Sequence, residues 1–213
     1  MEINNKKIDS GIYLVIDPSL DETALIEKLK LILEEPIAAV QIWDHFLPGQ
    51  DIEKLINIIT GACHKKNVPV LINNKWEWLK KSELDGVHID SIPGNLDLIK
   101  QIIGKKFICG ITCNNDLSIV DWAADNHLDY ISFCSMFPSP TSNSCDMVLF
   151  ETIRKAKATA NIPVFLAGGV TLENMPKLDG LPFNGIAVSS GIMKSENPKE
   201  TIHSYLEHLN KTK

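Results

Sequence analysis

Apolar residues in this 213-residue chain fall into short continuous runs, separated by stretches in which they recur every three or four positions. IYLVI at 12–16 stops at Asp17-Pro18-Ser19, and from Asp21 to Glu35 the residues Leu25, Leu29 and Leu33 lie four apart. That spacing predicts a helix opened by an Asp cap. IAAVQIW at 37–43 precedes a second helical period at 51–66, with Ile52, Ile56, Ile59 and Cys63 on one face. The same alternation continues through 68–74 and a short helical KWEWLKK, then 86–90 and a helix over 95–103. FICGITC at 107–113 precedes a helix over 116–126, and YISFCSM at 130–136 precedes one near 147–159. PVFLAGG at 163–169, a compact helix at 171–178, GIAVSSG at 185–191 and a helix near 198–210 complete the pattern.

Eight strand-like runs, each followed by a helical segment, predict an α/β fold. The runs are almost continuously apolar, as parallel strands covered on both faces must be. Eight such units close as a (β/α)8 TIM barrel, a single compact domain over 1–213 with its core at 12–210. An open dinucleotide-binding sheet needs a Gly-rich loop after the first strand, and IYLVIDPSLD contains no glycine. The loop at 137–147, rich in Pro and Ser, fits either a mobile flap or a plain surface loop.

Composition narrows the partners. Lys and Arg number 21 against 27 Asp and Glu, a formal charge of −6, which argues against a broad nucleic-acid surface. No run approaches the roughly 18 to 20 apolar residues of a spanning helix, so no membrane partner is expected. The polar amino terminus lacks the apolar core of a signal peptide, and five cysteines without CxxC spacing read as reduced thiols. A cytoplasmic protein, with a homodimer as one possible assembly, is the expectation.

In a barrel of this kind chemistry collects at the carboxyl ends of the strands. Those ends carry Asp17; Gln41, Trp43 and Asp44; Asn73 and Asn74; His88 and Asp90; Thr112 and Asn114; Ser132 and Ser135; Gly168 and Gly169; Ser189 and Ser190. This is a ring of amides and hydroxyls with few acid–base pairs. AGG at 167–169 and VSSG at 188–191 offer backbone N–H groups and two hydroxyls, which make a phosphate cradle from Gly168, Gly169, Ser189 and Ser190. Trp43 can stack on a flat ring or plug the mouth. His88 can serve as an acid–base group or as a hydrogen-bonding residue inside the barrel. His45 can reach a phosphate or stay in solvent. Asp17, Asp44 and Asp90 can share a divalent cation only where their strand ends converge.

The motifs IYLVID, VQI, PVLINN, DGVHI, CGIT, DYISF, FPSPT, PVFLAGGV and GIAVSSGI, in that order from about residue 11 to 197, resemble the thiamine phosphate synthase and thiazole tautomerase family. The resemblance implies a magnesium-dependent transferase. It joins hydroxymethylpyrimidine pyrophosphate to a thiazole phosphate, releases pyrophosphate, and passes through a cationic pyrimidine. It also implies that Gly168, Gly169, Ser189 and Ser190 hold the thiazole phosphate. Gln41, Asn73 and Thr112, with Trp43, then line the substrate side, and His88 matches the histidine of DGVH in a structural role. The small phosphorylated metabolite expected in the pocket follows from the same match.

Departures fall on charged positions. The family's Arg and Lys after VQ are Trp43 and His45 here, its strand-three magnesium Asp is Asn74, and its second magnesium Asp falls at Pro93. The Lys of the loop after strand six is matched by Ser142 or Asn143, and the tautomerase histidine by Asn114. Replacement catalytic candidates are His45, Asn74 and Asp90, the metal candidates are Asp44 and Asp90, and Lys75 can reach toward phosphate. A barrel that binds a thiazole phosphate or another small phosphorylated metabolite without this chemistry is the alternative.

Overall fold

A computed structural model of the chain describes residues 6–138 and 146–211. Residues 139–145 of the Pro- and Ser-rich loop, with Ser142, Asn143 and Cys145, lie outside the described residues. Eight parallel strands close into one barrel in sequence order: β1 (Gly11–Ile16), β2 (Ala39–Ile42), β3 (Val70–Asn73), β4 (Gly86–Ile89), β5 (Ile108–Cys113), β6 (Tyr130–Phe133), β7 (Val164–Ala167) and β8 (Gly185–Val188). Closure comes from β1, which pairs with β2 through Tyr13 opposite Ala39 and with β8 through Gly11 opposite Gly185. The expected TIM barrel is the observed fold.

Among the described residues, seven α-helices surround it: α1 (Glu22–Ile32), α2 (Ile52–His64), α3 (Leu96–Ile103), α4 (Ser118–Asp125), α5 (Phe150–Thr159), α6 (Ser190–Met193) and α7 (Pro198–Lys211). The carboxylate of Asp21 accepts from the Ala24 N–H at 2.9 Å, so the cap expected from sequence opens α1. Asp51 and the Asn95 side chain accept in the same way at α2 and α3. The strands are shorter than their apolar runs: β6 stops at Phe133 and β8 at Val188, where inter-strand pairing ends. Two helical segments also differ from the pattern. KWEWLKK and the segment at 171–178 form only single 3-10 turns, over Trp76–Lys80 and Met175–Leu178. Ser190 and Gly191, the end of the run read as strand at 185–191, instead open α6.

Period-two alternation divides the core into two layers. Ile12, Leu14, Ile16, Val40, Ile42 and their equivalents point outward and pack under the helices. Tyr13, Ala39, Leu71, Ile108, Tyr130, Phe165 and Ala187 point inward and fill the barrel with Ile8. Tyr130 fits only because β5 has Gly110 beside it; a Cβ there would overlap the Tyr130 ring. At the amino-terminal end of the barrel Asp85 joins Lys6 at 2.9 Å, His64 at 2.7 Å and the Val70 N–H at 2.8 Å, which ties Lys6 to the bottom of the barrel. Among the described residues no helix is long and apolar enough to cross a membrane. Cys63, Cys109 and Cys113 are free and buried, and burial pushes each thiol up to about 12. They behave as small apolar residues.

Candidate functional site

Inward parity carries beyond the last paired residue of each strand and decides what reaches the mouth. Gln41 points inward, so Trp43 does; His88 points inward, so Asp90 does. Both pairs line a cavity of about 620 Å³ at the carboxyl end of the barrel, together with Asn73, Thr112, Ser132, Gly168, Gly169, Ser189 and Ser190. That volume is in the range of small-molecule sites. Structure therefore brings the substrate-side and phosphate-side candidates into one space.

The floor of this cavity is a continuous hydrogen-bonded chain. Asn73 Nδ2 donates to Asp90 Oδ2 at 2.9 Å, and Gln41 Nε2 donates to Asn73 Oδ1. Tyr13 donates to Gln41 Oε1 at 2.9 Å and lies 2.8 Å from the Tyr130 hydroxyl. His88 joins Tyr130 through Nδ1 at 2.9 Å and Thr112 Oγ1 through Nε2 at 2.8 Å. Gln41, Asn73 and His88 are all buried, so their polar atoms need these partners. Burial holds His88 down at about 4, and burial raises both tyrosines above their ordinary range. His88 is thus a neutral hydrogen-bonding residue inside the barrel, the structural one of its two sequence readings.

Asp44 and Asp90 do converge, but on an amide. Asn74, with a positive φ of 54°, leaves the line of β3 and donates through Nδ2 to Asp90 at 2.8 Å and to Asp44 at 3.0 Å. Its Oδ1 accepts from the Asp90 N–H at 3.0 Å, which fixes the amide's orientation. Asp17 lies apart from this group, with its carboxylate engaged by Ser19 and 3.8 Å from His45. Among the described residues no group of three or more His, Cys, Asp or Glu is placed to hold a metal ion. Magnesium takes oxygen ligands in near-octahedral geometry, and the point between these carboxylates holds an N–H donor. As arranged, Asp44, Asn74 and Asp90 do not fit the magnesium that the resemblance implies.

The opposite side of the mouth is built from β7, β8 and α6. Gly168 and Gly169 have φ of 82° and 69°, which free their N–H groups from strand pairing and turn the chain. Asn174 closes this turn, donating to the Gly169 carbonyl at 2.7 Å and accepting from the Thr171 N–H at 2.9 Å. Ser189 occupies the N-cap position of α6 without a side-chain cap bond, and the first N–H groups of the helix have no acceptor within it. Lys194, exposed just beyond α6, also lines the cavity. Sequence reasoning missed Lys194, which lies three residues past GIAVSSG at 185–191 in a segment that carries no motif.

Trp43 lines the cavity and stacks on His45, with ring centroids 3.7 Å apart and planes 24° apart. His45 is half exposed. Lys75 is exposed beside the 3-10 turn and does not line the cavity. Ser135 was visible only as a polar strand end. Its φ of 71° folds the following residues over β7, where Met136 N–H donates to Ala167 and Phe137 N–H to Gly168, both at 3.0 Å. Its buried hydroxyl has no hydrogen-bond partner.

A family model described as thiamine monophosphate synthase matches residues 12–192. The chain is 30% identical over 206 residues to the thiamine-phosphate synthase of Ruminiclostridium cellulolyticum, covering 94% of this chain and 96% of that protein. It is 27% identical over 202 residues to the thiamine-phosphate synthase of Methanobrevibacter smithii, covering 95% and 96%. A solved structure titled thiamine phosphate pyrophosphorylase, from Pyrococcus furiosus, superimposes with a TM-score of 0.80 at 19% identity, covering 99% of each chain, a likeness of fold.

Proposed function

The chain belongs to the thiamine monophosphate synthase family, and from that premise we propose that its barrel mouth joins a pyrimidine pyrophosphate to a thiazole phosphate. The observation that supports this most directly is the two-sided cavity: an amide-rich face from β2 and β3 opposite a glycine–serine cradle from β7 and β8. In this reading the thiazole phosphate lies on the N–H groups of Gly168 and Gly169 and on Ser189 and Ser190, beside Lys194. The pyrimidine lies against Gln41, Asn73 and Thr112, under Trp43.

The reaction breaks the bond from the pyrimidine methylene to pyrophosphate oxygen, and the electron pair leaves with pyrophosphate. A carbon–nitrogen bond to the thiazole then forms. No strong base is needed, so a neutral His88 is compatible with it. The work left to the protein is orientation and stabilisation of separating charge, for which the chain offers N–H donors, Lys194 and His45. A second reading, binding of the thiazole phosphate without turnover, is favoured by the Asn74 amide between Asp44 and Asp90.

The test is to mix purified protein with hydroxymethylpyrimidine pyrophosphate and thiazole phosphate, with added magnesium or with chelator, and to follow thiamine phosphate and pyrophosphate together. Coupled release of both at ~0.01 per second or faster supports the synthase reading. Saturable binding of thiazole phosphate without product supports the second reading, and absence of both overturns the two.

A further inference from the structure

We propose that Asp90 is a positioning residue whose carboxylate sets the direction of every hydrogen bond from Asn73 to Thr112, so that Thr112 presents lone pairs and no proton to a ligand. The argument is proton bookkeeping along one chain. A carboxylate accepts and cannot donate, so Asn73 must turn its NH2 toward Asp90, as it does at 2.9 Å. Asn73 Oδ1 then faces Gln41 and requires the Gln41 NH2, which leaves Gln41 Oε1 as the acceptor for Tyr13 at 2.9 Å. Tyr13 has one proton and spends it there. The 2.8 Å contact between the two tyrosines therefore uses the Tyr130 proton.

Tyr130, having donated, accepts from His88 Nδ1 at 2.9 Å, so that nitrogen carries the imidazole proton. His88 Nε2 is then bare and takes the Thr112 proton at 2.8 Å. Each group has a single consistent role. Reversing any one bond would place two acceptors or two donors face to face elsewhere in a buried chain. Asn74 reinforces the start of the chain, because its own NH2 also points at Asp90 Oδ2.

Thr112 lines the cavity, and its free capacity is acceptance. A ligand group over Thr112 has to be a donor such as an N–H or O–H. This consequence rests on the proposed ligand site, whereas the direction of the chain does not.

The experiment is long-range 1H–15N correlation of the histidine side chains in the full-length protein at pH 7.5 without ligand, with His88 assigned by its loss in H88Q. The expected result is a neutral His88 with its proton on Nδ1, in excess over the Nε2–H form by at least about tenfold, the scale of one charge-assisted hydrogen bond. Asp90 is exposed at the rim, so D90A should fold, and in it the excess should fall to near parity. D90N should restore it, because the Asn74 NH2, fixed by its own Oδ1 on the residue-90 N–H, requires an acceptor at that point and so holds the new Oδ1 toward Asn73 and Asn74. A wild-type His88 protonated on Nε2, an undiminished Nδ1–H excess in D90A, or a D90N as mixed as D90A would each overturn the proposal. None of these readouts depends on turnover, so failure of the functional reading is separately visible.

Discussion

Replacing Tyr13 with Phe removes one oxygen from the middle of the interior chain and changes little else. The ring is 2% exposed and packs against Tyr130 and Phe165 at centroid distances of 5.5 and 5.8 Å, contacts that phenylalanine keeps. The void is about 10–15 Å³, worth ~0.3 kcal/mol at ~24 cal/mol per Å³. The larger cost comes from the two groups left behind: Gln41 Oε1 loses its donor and the Tyr130 proton loses its acceptor, and the two residues are only 5% and 1% exposed. Each unsatisfied buried group costs about 1–3 kcal/mol, partly offset because the Tyr13 hydroxyl no longer needs desolvating. The net expectation is a loss of about 2–4 kcal/mol, or roughly 6–12 °C in melting temperature for a chain of this length.

Urea unfolding of the wild type, Y13F, Y130F and the double variant measures this directly. Y130F strands the His88 Nδ1 proton, but the double variant no longer contains the stranded Tyr130 proton. It should therefore cost about 1–2 kcal/mol less than the sum of the singles. A Y13F loss below about 0.5 kcal/mol at unchanged slope, or strict additivity in the cycle, would refute the continuous chain.

Three further expectations follow from the same site. His88 is held near 4 against an ordinary 6.5, so its share of stability is complete above about pH 6.5 and is lost as pH falls toward 4, because only the unfolded chain takes up the proton. At about 1.4 kcal/mol per unit this is ~3 kcal/mol, and H88Q should show that much less change in urea stability between pH 7.5 and 4. N74D places a third carboxylate between Asp44 and Asp90, and manganese titration followed by electron paramagnetic resonance should show a dissociation constant of about 0.1–1 mM where the wild type shows weaker binding; equal affinities would count against the amide as the obstacle. G169V brings a Cβ to 2.5 Å from the Phe137 carbonyl oxygen at a φ that valine resists, so it should weaken thiazole phosphate binding by about tenfold or more and cost ~2 kcal/mol; unchanged affinity by calorimetry would remove the cradle from consideration.

Much of this architecture was legible in the chain because it depends on neighbours a few residues apart. Four-residue spacing of Leu25, Leu29 and Leu33 and the continuous run IYLVI encode a helix and a buried strand locally, and eight repetitions leave the barrel as the closed arrangement. The same chain order put Gln41, Trp43, His88 and Asp90 at strand ends, where a barrel collects its chemistry. Glycine at 168 and 169 marked a turn whose φ other residues rarely adopt.

Tertiary structure decided what those inward groups do to one another. Tyr13 and Tyr130 lie 117 residues apart and meet at 2.8 Å only because the ring closes through β1 and β8. Asn74 was identifiable as an amide at a charged position, but the convergence of Asp44 and Asp90 on it depends on strand register and a positive φ. Lys194 lines the mouth because the chain coils into α6 at Ser190, before the end of the run read as strand at 185–191. Residue order encodes local periodicity, whereas the direction of a hydrogen-bonded chain and the occupant of a gap between carboxylates depend on distances that exist only once the barrel has closed.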